Sequence, residues 1–533
     1  MHFRLWAPDR KQVAVVFESV DGGDPAGGDA GGRRSLSLDA EGNGYFSGLV
    51  SHAAAGHLYW YAVDGNGPYP DPASRFQPDG PHGPSEVIDP GAFSWTDRAW
   101  KGVPRDGQVL YEMHIGTFSA EGTFQAAVRE LRELADLGVT LLEVMPVADF
   151  PGRFGWGYDG VNFFAPTRLY GRPDDFRKFV DAAHAVGLGV ILDVVYNHAG
   201  PDGNVLPQFA HAYHSQRHTT DWGPAFNFDD EGSGPVRELF LANAAYWIDE
   251  FHLDGLRIDA TQDVHDDSDT HILAEITARV RHAAPGRSTF IVAENEPQHA
   301  RLVRPPEQGG YGMDALWNDD FHHSAMVRLS GHSEAYYMDY RGRAQEFVSA
   351  AKWGFLYQGQ WYSWQKQRRG APAWDLPPAA FVHFIQNHDQ IANTCRGLRC
   401  HAFSSPGEYK AMSAVLLLGP QTPMLFQGQE FAASSPFFYF ADPRDEELAR
   451  MVYRGRKKFL SQFRSIAQPE VQAQLPDPAD PQTFVRSKLD FADRVRNAEL
   501  YAAYRDLLAI RRTDEVLSRP WRPVDGAVLN DDA

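Results

Sequence analysis

Residues 173–198 read PDDFRKFVDAAHAVGLGVILDVVYNH, and this stretch decides the fold. Apolar residues recur at helical spacing through 173–186, and an almost uninterrupted apolar run follows at 189–195. A helix followed by a buried strand is the repeating unit of parallel sheets. The stretch therefore predicts an α/β protein whose strands are covered by helices.

The same alternation continues on both sides of this stretch. Further helical stretches are predicted at 125–137, 236–251, 271–282 and 408–418. Further strands are predicted at 109–115, 140–147, 255–258, 289–293, 315–317, 381–386 and 423–426. With 189–195 they make eight, the number that closes a (β/α)8 TIM barrel.

One connection in this barrel is unusually long. About forty residues rich in Gly, Pro, His and Asp separate strand three from the helix that begins near residue 236. Long loops in compact domains are usually functional, and at this face of a barrel they build the mouth of the active site. We expect residues 199–235 to form an inserted loop subdomain.

The first hundred residues differ from the rest of the chain. Short aromatic or β-branched runs are separated by turn residues, which predicts a small β-sandwich at 1–100. A Gly- and Asp-rich loop tip is expected at 21–34. The barrel is assigned to 101–512, and 513–533 are assigned to the start of a C-terminal β-domain that is truncated or missing.

Charge and cysteine content exclude several classes of partner. The chain has 533 residues and a net charge of −20, which argues against nucleic acids and anionic membranes. It has neither an apolar signal core at its N-terminus nor a run near the roughly 18 apolar residues that cross a bilayer. With only Cys395 and Cys400 as cysteines, we expect free thiols and a cytoplasmic location.

Acidic residues follow three of the predicted strands. DVVYNH (193–198) ends strand three, GLRIDA (255–260) strand four, AEN (293–295) strand five and QNHDQ (386–390) strand seven. The carboxyl ends of barrel strands share one face, so Asp259, Glu294 and Asp389 should meet in one bowl. Clustered carboxylates raise one another's pKa, which suits a site that needs one protonated and one ionised carboxyl group.

Hydrolysis of a glycosidic bond needs such a pair, held about 5–5.5 Å apart in retaining enzymes. We assign Asp259 as the nucleophile and Glu294 as the general acid and base. Arg257, two residues before Asp259 on the same side of the strand, would keep Asp259 ionised. Asp389 would bind sugar hydroxyls as the ring distorts. Additional sugar contacts are assigned to His198, His388, Gln390 and the stacking face of Tyr158.

These four motifs resemble, in order and spacing, the four sequence blocks of the α-amylase superfamily. That resemblance implies the same roles for Asp259, Glu294 and Asp389. Further segments resemble the maltooligosyltrehalose trehalohydrolase family within it. They are RFGWGYDGVNFFAP (153–166), LWNDDFHH (316–323), EAYYMDYRG (334–342), WGFLYQGQ (353–360) and LFQGQEFAASSPFFYFAD (425–442).

The finer resemblance implies hydrolysis of the α-1,4 bond next to the terminal trehalosyl unit of maltooligosyltrehalose, without a cofactor. It also implies a functional pairing with a trehalose-forming synthase rather than a stable complex. By the same analogy Asp319, Asp320 and His322 contact the sugars, and Glu430 lines the bowl. The N-terminal sandwich is similar to starch-binding-like modules. Members of the family end in an antiparallel β-domain, for which the 22 residues after Arg511 are too few.

Two alternative functions stay open at this stage. The chain could be an α-1,6-acting debranching or branching enzyme of the same superfamily. It could also be a barrel that lost catalysis and serves as a binding subunit, although the presence of Asp259 and Glu294 argues against this.

Metal binding is a separate question. His211, His214 and His218 have a spacing that could place imidazoles on one helical face. With no nearby carboxylate or cysteine to complete a ligand set, we expect a solvated loop and no metal.

Overall fold

Eight parallel strands form a closed barrel in the computed structural model, which describes residues 1–18, 33–519 and 524–530. Each strand pairs with the next one in sequence, and the eighth pairs with the first. We number them one to eight: Leu110–Met113, Leu141–Val144, Gly189–Val194, Gly255–Ile258, Phe290–Ala293, Ala315–Trp317, Phe381–His383 and Thr422–Phe426. The eight predicted strands and the TIM barrel are confirmed.

Helices surround the barrel. The longer ones are Pro173–Ala185, Ser233–Glu250, Ile272–Ala283, Asp319–Ser330, Ala344–Trp353, Pro406–Leu418, Glu446–Leu460 and Ala498–Thr513. The shorter ones are Ile115–Phe118, Phe124–Val128, Leu131–Leu137, Leu206–Phe209, His388–Ala392, Pro469–Gln472, Pro481–Arg486 and Asp493–Arg496. The predicted helix 125–137 is therefore two helices, Phe124–Val128 and Leu131–Leu137, rather than one.

Local sequence explains the unit that begins at residue 173. Pro173 opens the helix, and the carboxylate of Asp175 accepts a hydrogen bond of 2.9 Å from the Arg172 backbone N–H. The buried residues, which include Phe176, Phe179 and Val180, lie on one face at helical spacing. This face packs against strand three of the barrel, which follows the helix after a short turn.

The inward-facing side chains of the barrel form layers. The lowest layer is apolar and includes Leu110, Leu141, Ile191, Phe290, Val382 and Met424. Two residues further along strands one to four, in phase with that layer, are Glu112, Glu143, Asp193 and Arg257. Asp259 and Glu294 follow above these ionisable residues. The candidate bowl thus rests on a layer of ionisable side chains, below which lies the apolar layer.

Two antiparallel sheets make up the N-terminal region. One contains His2–Trp6, Asp39–Gly42 and Tyr45–Leu49; the other contains Val13–Phe17, Arg34–Ser37, Leu58–Val63, Asn66–Tyr69 and Ser85–Glu86. Phe3 of the first sheet packs against Phe17 and Tyr59 of the second, at ring distances of 5.5 and 5.0 Å. The β-sandwich is confirmed; the domain boundary near residue 100 stays a prediction. Residues 21–32 of the predicted loop tip lie outside the described residues.

Within the described residues, three two-stranded antiparallel sheets lie in the loops that connect the barrel strands. His214–Thr220 pairs with Gly223–Phe226 inside the insertion 199–235, and Gln360–Tyr362 pairs with Gln367–Arg369 after strand six. A short ladder joins Ala148–Asp149 to Asn162–Pro166.

The described residues beyond Thr513 form no helix or strand, and 520–523 and 531–533 lie outside the description. Among the described residues, every helix is too short or too polar to cross a bilayer.

Candidate active site

The guanidinium of Arg257 joins both predicted catalytic carboxylates. Its Nη1 donates to Asp259 Oδ1 at 2.7 Å, and its Nη2 lies 3.0 Å from Glu294 Oε2. Arg257 is completely buried, and its Cζ lies 4.2 Å from the centre of the Trp317 ring. One rigid, permanently charged group therefore fixes both carboxylates at the mouth of the barrel.

Backbone geometry adds to this arrangement. Ala260 has a φ of +39°, a left-handed conformation that is uncommon for a residue with a side chain. In that conformation its N–H donates to Glu294 Oε2 at 2.9 Å. The end of strand four thus positions the carboxylate that strand five carries.

The two carboxyl groups differ in the pKa that their surroundings impose. Burial raises the pKa of Asp259 to about 6, against the opposing effect of Arg257 and of a hydrogen bond with Glu294. Burial raises the pKa of Glu294 to about 7, with Asp259 and Asp389 adding to the effect and Arg257 opposing it. Near pH 6.5 the pair consequently favours an ionised Asp259 and a protonated Glu294.

Asp193, which we did not assign to the site, connects Arg257 to Tyr158. Both of its oxygens accept from Arg257 Nη1, at 2.9 and 2.8 Å, and Oδ2 also accepts from the Tyr158 hydroxyl at 2.6 Å. The Tyr158 ring stacks on His388 at 5.2 Å. Asp193 therefore orients a predicted sugar platform and the cation beneath the carboxylates.

Asp389 and His388 lie across the bowl, at the start of helix His388–Ala392. The side chain of Asp389 is 44% exposed, and His388 Nε2 lies 3.5 Å from its Oδ2. Asp389 is close enough to Glu294 to raise its pKa. The three predicted catalytic carboxylates, Asp259, Glu294 and Asp389, are thus brought together; their roles are taken up below as a proposal.

His198 and Gln390 occupy the walls of the bowl. His198 stacks on the exposed Trp222 of the hairpin in the insertion, with ring centres 5.1 Å apart. Burial lowers the pKa of His198 to about 4, so it is neutral. The Gln390 side-chain oxygen accepts from the hydroxyls of Tyr336 and Tyr337 at 3.0 and 2.9 Å.

Asp319 belongs to a second charged cluster beside the bowl. Burial raises its pKa to about 7, against the effect of Arg369, whose Nη2 donates to Asp319 Oδ2 at 3.4 Å. The side chain is 22% exposed, and Asp319 and Glu294 are close enough to influence each other. Its position agrees with a sugar contact.

Three of the predicted positions are wrong. Asp320 and His322, predicted to contact the sugars, and Glu430, predicted to line the bowl, are completely buried. The carboxylate of Asp320 accepts from the Tyr340 hydroxyl and from two backbone N–H groups at 2.6–2.9 Å. The sequence places these residues after the right strands, but it does not show which side chains of the helix Asp319–Ser330 or of the turn at 427–430 point into the core.

Two buried acids of the barrel floor were missed. Glu112 of strand one binds His388, and its neighbour Glu143 of strand two has no hydrogen-bond partner on either carboxylate oxygen among the described residues. A glutamate inside each of the apolar runs LYEM and LLEV is the signal that would have found them. Acids are almost never fully buried without a reason.

The three histidines of the insertion do not converge. His211 binds Asp9 at 2.7 Å, and His214 stacks on Phe226. The expectation that no carboxylate lies nearby is therefore wrong for His211, and it is also wrong for His218. Its Nε2 lies 3.0 Å from Asp229, and Asp267 completes a group whose ligand atoms lie within 4.8 Å of one another.

A cation of the protein already sits in this group. The guanidinium of Arg217 lies 2.9 Å from Asp267 and 3.6 Å from Asp229. The cluster is therefore an ion-pair network, and the absence of a metal stays a prediction.

Known proteins resemble this chain along nearly its whole length. The α-amylase catalytic-domain family matches residues 88–228. The chain is 39% identical to the malto-oligosyltrehalose trehalohydrolase of Saccharolobus solfataricus over 96% of this chain and 85% of that protein. It is 41% identical to the enzyme of that name from Deinococcus radiodurans, over 98% and 82%. The chain belongs to the malto-oligosyltrehalose trehalohydrolase family.

A solved structure supports the fold over the same length. The crystal structure of a putative α-amylase from Salmonella typhimurium superposes with a TM-score of 0.88 at 40% identity, covering 97% of this chain and 85% of that one. Membership of this family confirms the predicted superfamily and makes the chain a glycoside hydrolase.

Proposed function

We propose that this trehalohydrolase-family chain hydrolyses the α-1,4 bond next to the terminal trehalosyl unit of maltooligosyltrehalose, with retention of configuration. Free trehalose and a maltooligosaccharide are the products. The substrate follows from the relatives' names and their near-complete coverage of the chain. The reaction type is supported by the single guanidinium that binds Asp259 and Glu294 together.

In the first step, protonated Glu294 gives its proton to the glycosidic oxygen, and trehalose leaves. Asp259 attacks the anomeric carbon and forms a maltooligosyl ester. Arg257 stabilises the ionised form of Asp259 beforehand, so that the nucleophile does not have to be deprotonated during the step. The carboxylate of Asp389, exposed at the rim, binds hydroxyls of the distorting ring.

In the second step the roles of Glu294 reverse. Having lost its proton, Glu294 accepts one from a water molecule, which attacks the ester and releases the maltooligosaccharide. The pKa of about 7 lets Glu294 alternate between both forms near neutral pH at little cost. The starting state, with Asp259 ionised and Glu294 protonated, is then restored.

Product analysis tests the proposed substrate. The protein is incubated with maltopentaosyltrehalose and, separately, with glycogen and pullulan, and the products are separated by chromatography. We expect trehalose and maltopentaose from the first and no cleavage of branch points. Glu294→Gln protein is the control for contaminating activity. Release of linear chains from pullulan without trehalose formation would instead favour the α-1,6-acting alternative.

The cellular setting is part of the proposal. Maltooligosyltrehalose has to be supplied by a trehalose-forming synthase, which we propose acts in sequence with this chain rather than in a stable complex. Both cysteines are free thiols, in agreement with a reducing cytoplasm. Co-purification of the two enzymes at a fixed ratio would contradict the sequential arrangement.

A further inference from the structure

Glu112, a buried acid below the bowl, forms two hydrogen bonds with His388, which faces the bowl. Glu112 Oε1 forms a hydrogen bond with His388 Nδ1, and Oε2 accepts from the His388 backbone N–H at 3.2 Å. Glu112 and His388 are 1% and 2% exposed. With Nδ1 bound to Glu112, Nε2 is turned toward Asp389, 3.5 Å away. Strand one thereby fixes the ring orientation of a residue that follows strand seven.

The neighbour of Glu112 is an equally buried acid with no such partner. Glu143 lies opposite Glu112 in the parallel register of strands one and two. It is 1% exposed, and neither of its carboxylate oxygens has a hydrogen-bond partner among the described residues. Two adjacent buried carboxylates cannot both be ionised without a counter-ion for each. Glu112 binds both the ring and the backbone N–H of His388, whereas Glu143 has no hydrogen-bond partner among the described residues, which favours Glu143 as the protonated acid of the two.

We propose that Glu112 is a positioning residue for the reaction. It holds His388 as an imidazolium whose Nε2 is directed at the sugar and at Asp389. Glu143, next to Glu112, is a neutral carboxylic acid. The role of Glu112 rests on the proposed function, because His388 and Asp389 serve the sugar only there. The two charge states can be measured without substrate.

Electrostatics of the surrounding side chains agree with this assignment. Burial lowers the pKa of His388, but Asp389 and Glu112 outweigh it and raise the pKa to about 9. Burial, followed by Glu112, raises the pKa of Glu143 well above its usual range. The titratable and charged groups that influence or contact His388 are Glu112, Glu143, Asp193, Arg257, Asp389, His114 and Tyr158.

Two matched substitutions separate the neighbours. Glu143→Gln replaces a neutral group by a neutral group of the same shape, so we expect kcat and KM within about twofold of wild type. Glu112→Gln removes a charge and leaves His388 buried without its counter-ion. We expect kcat to fall about 10- to 100-fold at pH 8, with a smaller change in KM, and to recover toward wild type as the pH falls to about 6. Glu112→Asp keeps the charge and should restore part of the rate.

Titration of His388 gives a readout independent of activity. In 15N-histidine-labelled protein, His388 is assigned from the signal that His388→Asn lacks. We expect an imidazolium up to about pH 8.5 in the wild type and in Glu143→Gln, and a neutral ring at about pH 8 in Glu112→Gln. A neutral His388 at about pH 7.5 in the wild type would overturn the proposal, as would equal losses of kcat in the two Gln variants. If the wild type forms no trehalose but His388 still titrates differently in the wild type and in Glu112→Gln, the proposed function is wrong and the assignment of the charge states stands.

Discussion

Arg257 and Arg369 are both fully buried arginines surrounded by carboxylates, yet they lie in very different settings. Two partners of Arg257 keep access to solvent, with side chains of Asp259 and Glu294 12% and 25% exposed, and the third, Asp193, is buried. Among the partners of Arg369, Asp319 and Glu296 are 22% and 33% exposed, whereas Asp320, 3.7 Å away, is completely buried and already accepts from three other donors. Similar charge patterns therefore surround the proposed catalytic carboxylates in one place and, through Asp320, attach a loop to the barrel in the other.

The largest expected difference is between Asp259→Asn and Asp320→Asn. With Asp259 as the proposed nucleophile, the Asp259→Asn protein cannot form the glycosyl ester, so we expect kcat to fall at least about 10⁴-fold while Tm stays close to that of the wild type. In Asp320→Asn the amide cannot accept all of the hydrogen bonds of the carboxylate, so we expect the free energy of unfolding to fall by about 3–5 kcal/mol. The kcat of the folded molecules should stay close to that of the wild type. Steady-state kinetics and denaturant unfolding measure the two effects. Equal effects on kcat would remove the distinction between the clusters.

Replacing each arginine by lysine sharpens the comparison. Lysine keeps the charge but has no fork with which to hold two carboxylates at once. Arg257→Lys should lower kcat by about 10²- to 10³-fold. Arg369→Lys loses hydrogen bonds to the Tyr340 hydroxyl and the Glu296 carbonyl. It should therefore lower Tm more than it lowers kcat. A stable Arg369→Lys protein with the kinetic defect of Arg257→Lys would contradict this division of roles.

The pH dependence of the rate reports the first cluster. The proposed mechanism needs Asp259 deprotonated and Glu294 protonated, so kcat/KM should rise as the pH passes about 6 and fall as it passes about 7. The optimum then lies between the two transitions. In Glu294→Gln the descending limb should disappear from the residual rate, measured with a substrate whose leaving group needs no proton. Persistence of that limb would exclude Glu294 as its source.

The smallest effect is expected at an arginine that is not buried. Arg4 pairs with Glu41 at 2.8 Å on the surface of the sandwich, and its side chain is 49% exposed. Such pairs contribute little because water already solvates both charges. Arg4→Gln should change Tm by less than about 1 °C and leave kcat unchanged. A calorimetric shift of several degrees would show that exposure is a poor guide to the importance of these arginines.

Sequence patterns were sufficient for the barrel because each strand is a short apolar run between turns or amphipathic helices. They also predicted that Asp259, Glu294 and Asp389 share one bowl, since the ends of parallel strands meet. They failed for Asp320, His322 and Glu430, whose side chains are completely buried although each residue follows a predicted strand. The Glu112–His388 contact joins residues 276 positions apart and depends on barrel closure, which no local pattern encodes.

The proposed reaction depends most directly on Asp259 acting as nucleophile beside a protonated Glu294. Glu294→Gln protein can be treated with α-maltosyl fluoride, whose leaving group needs no acid, while the absent base slows hydrolysis of the ester. Intact-mass spectrometry followed by peptide mapping should then find one maltosyl group, attached to Asp259. A maltosyl group on another residue, or release of maltose of inverted configuration without any adduct, would contradict it.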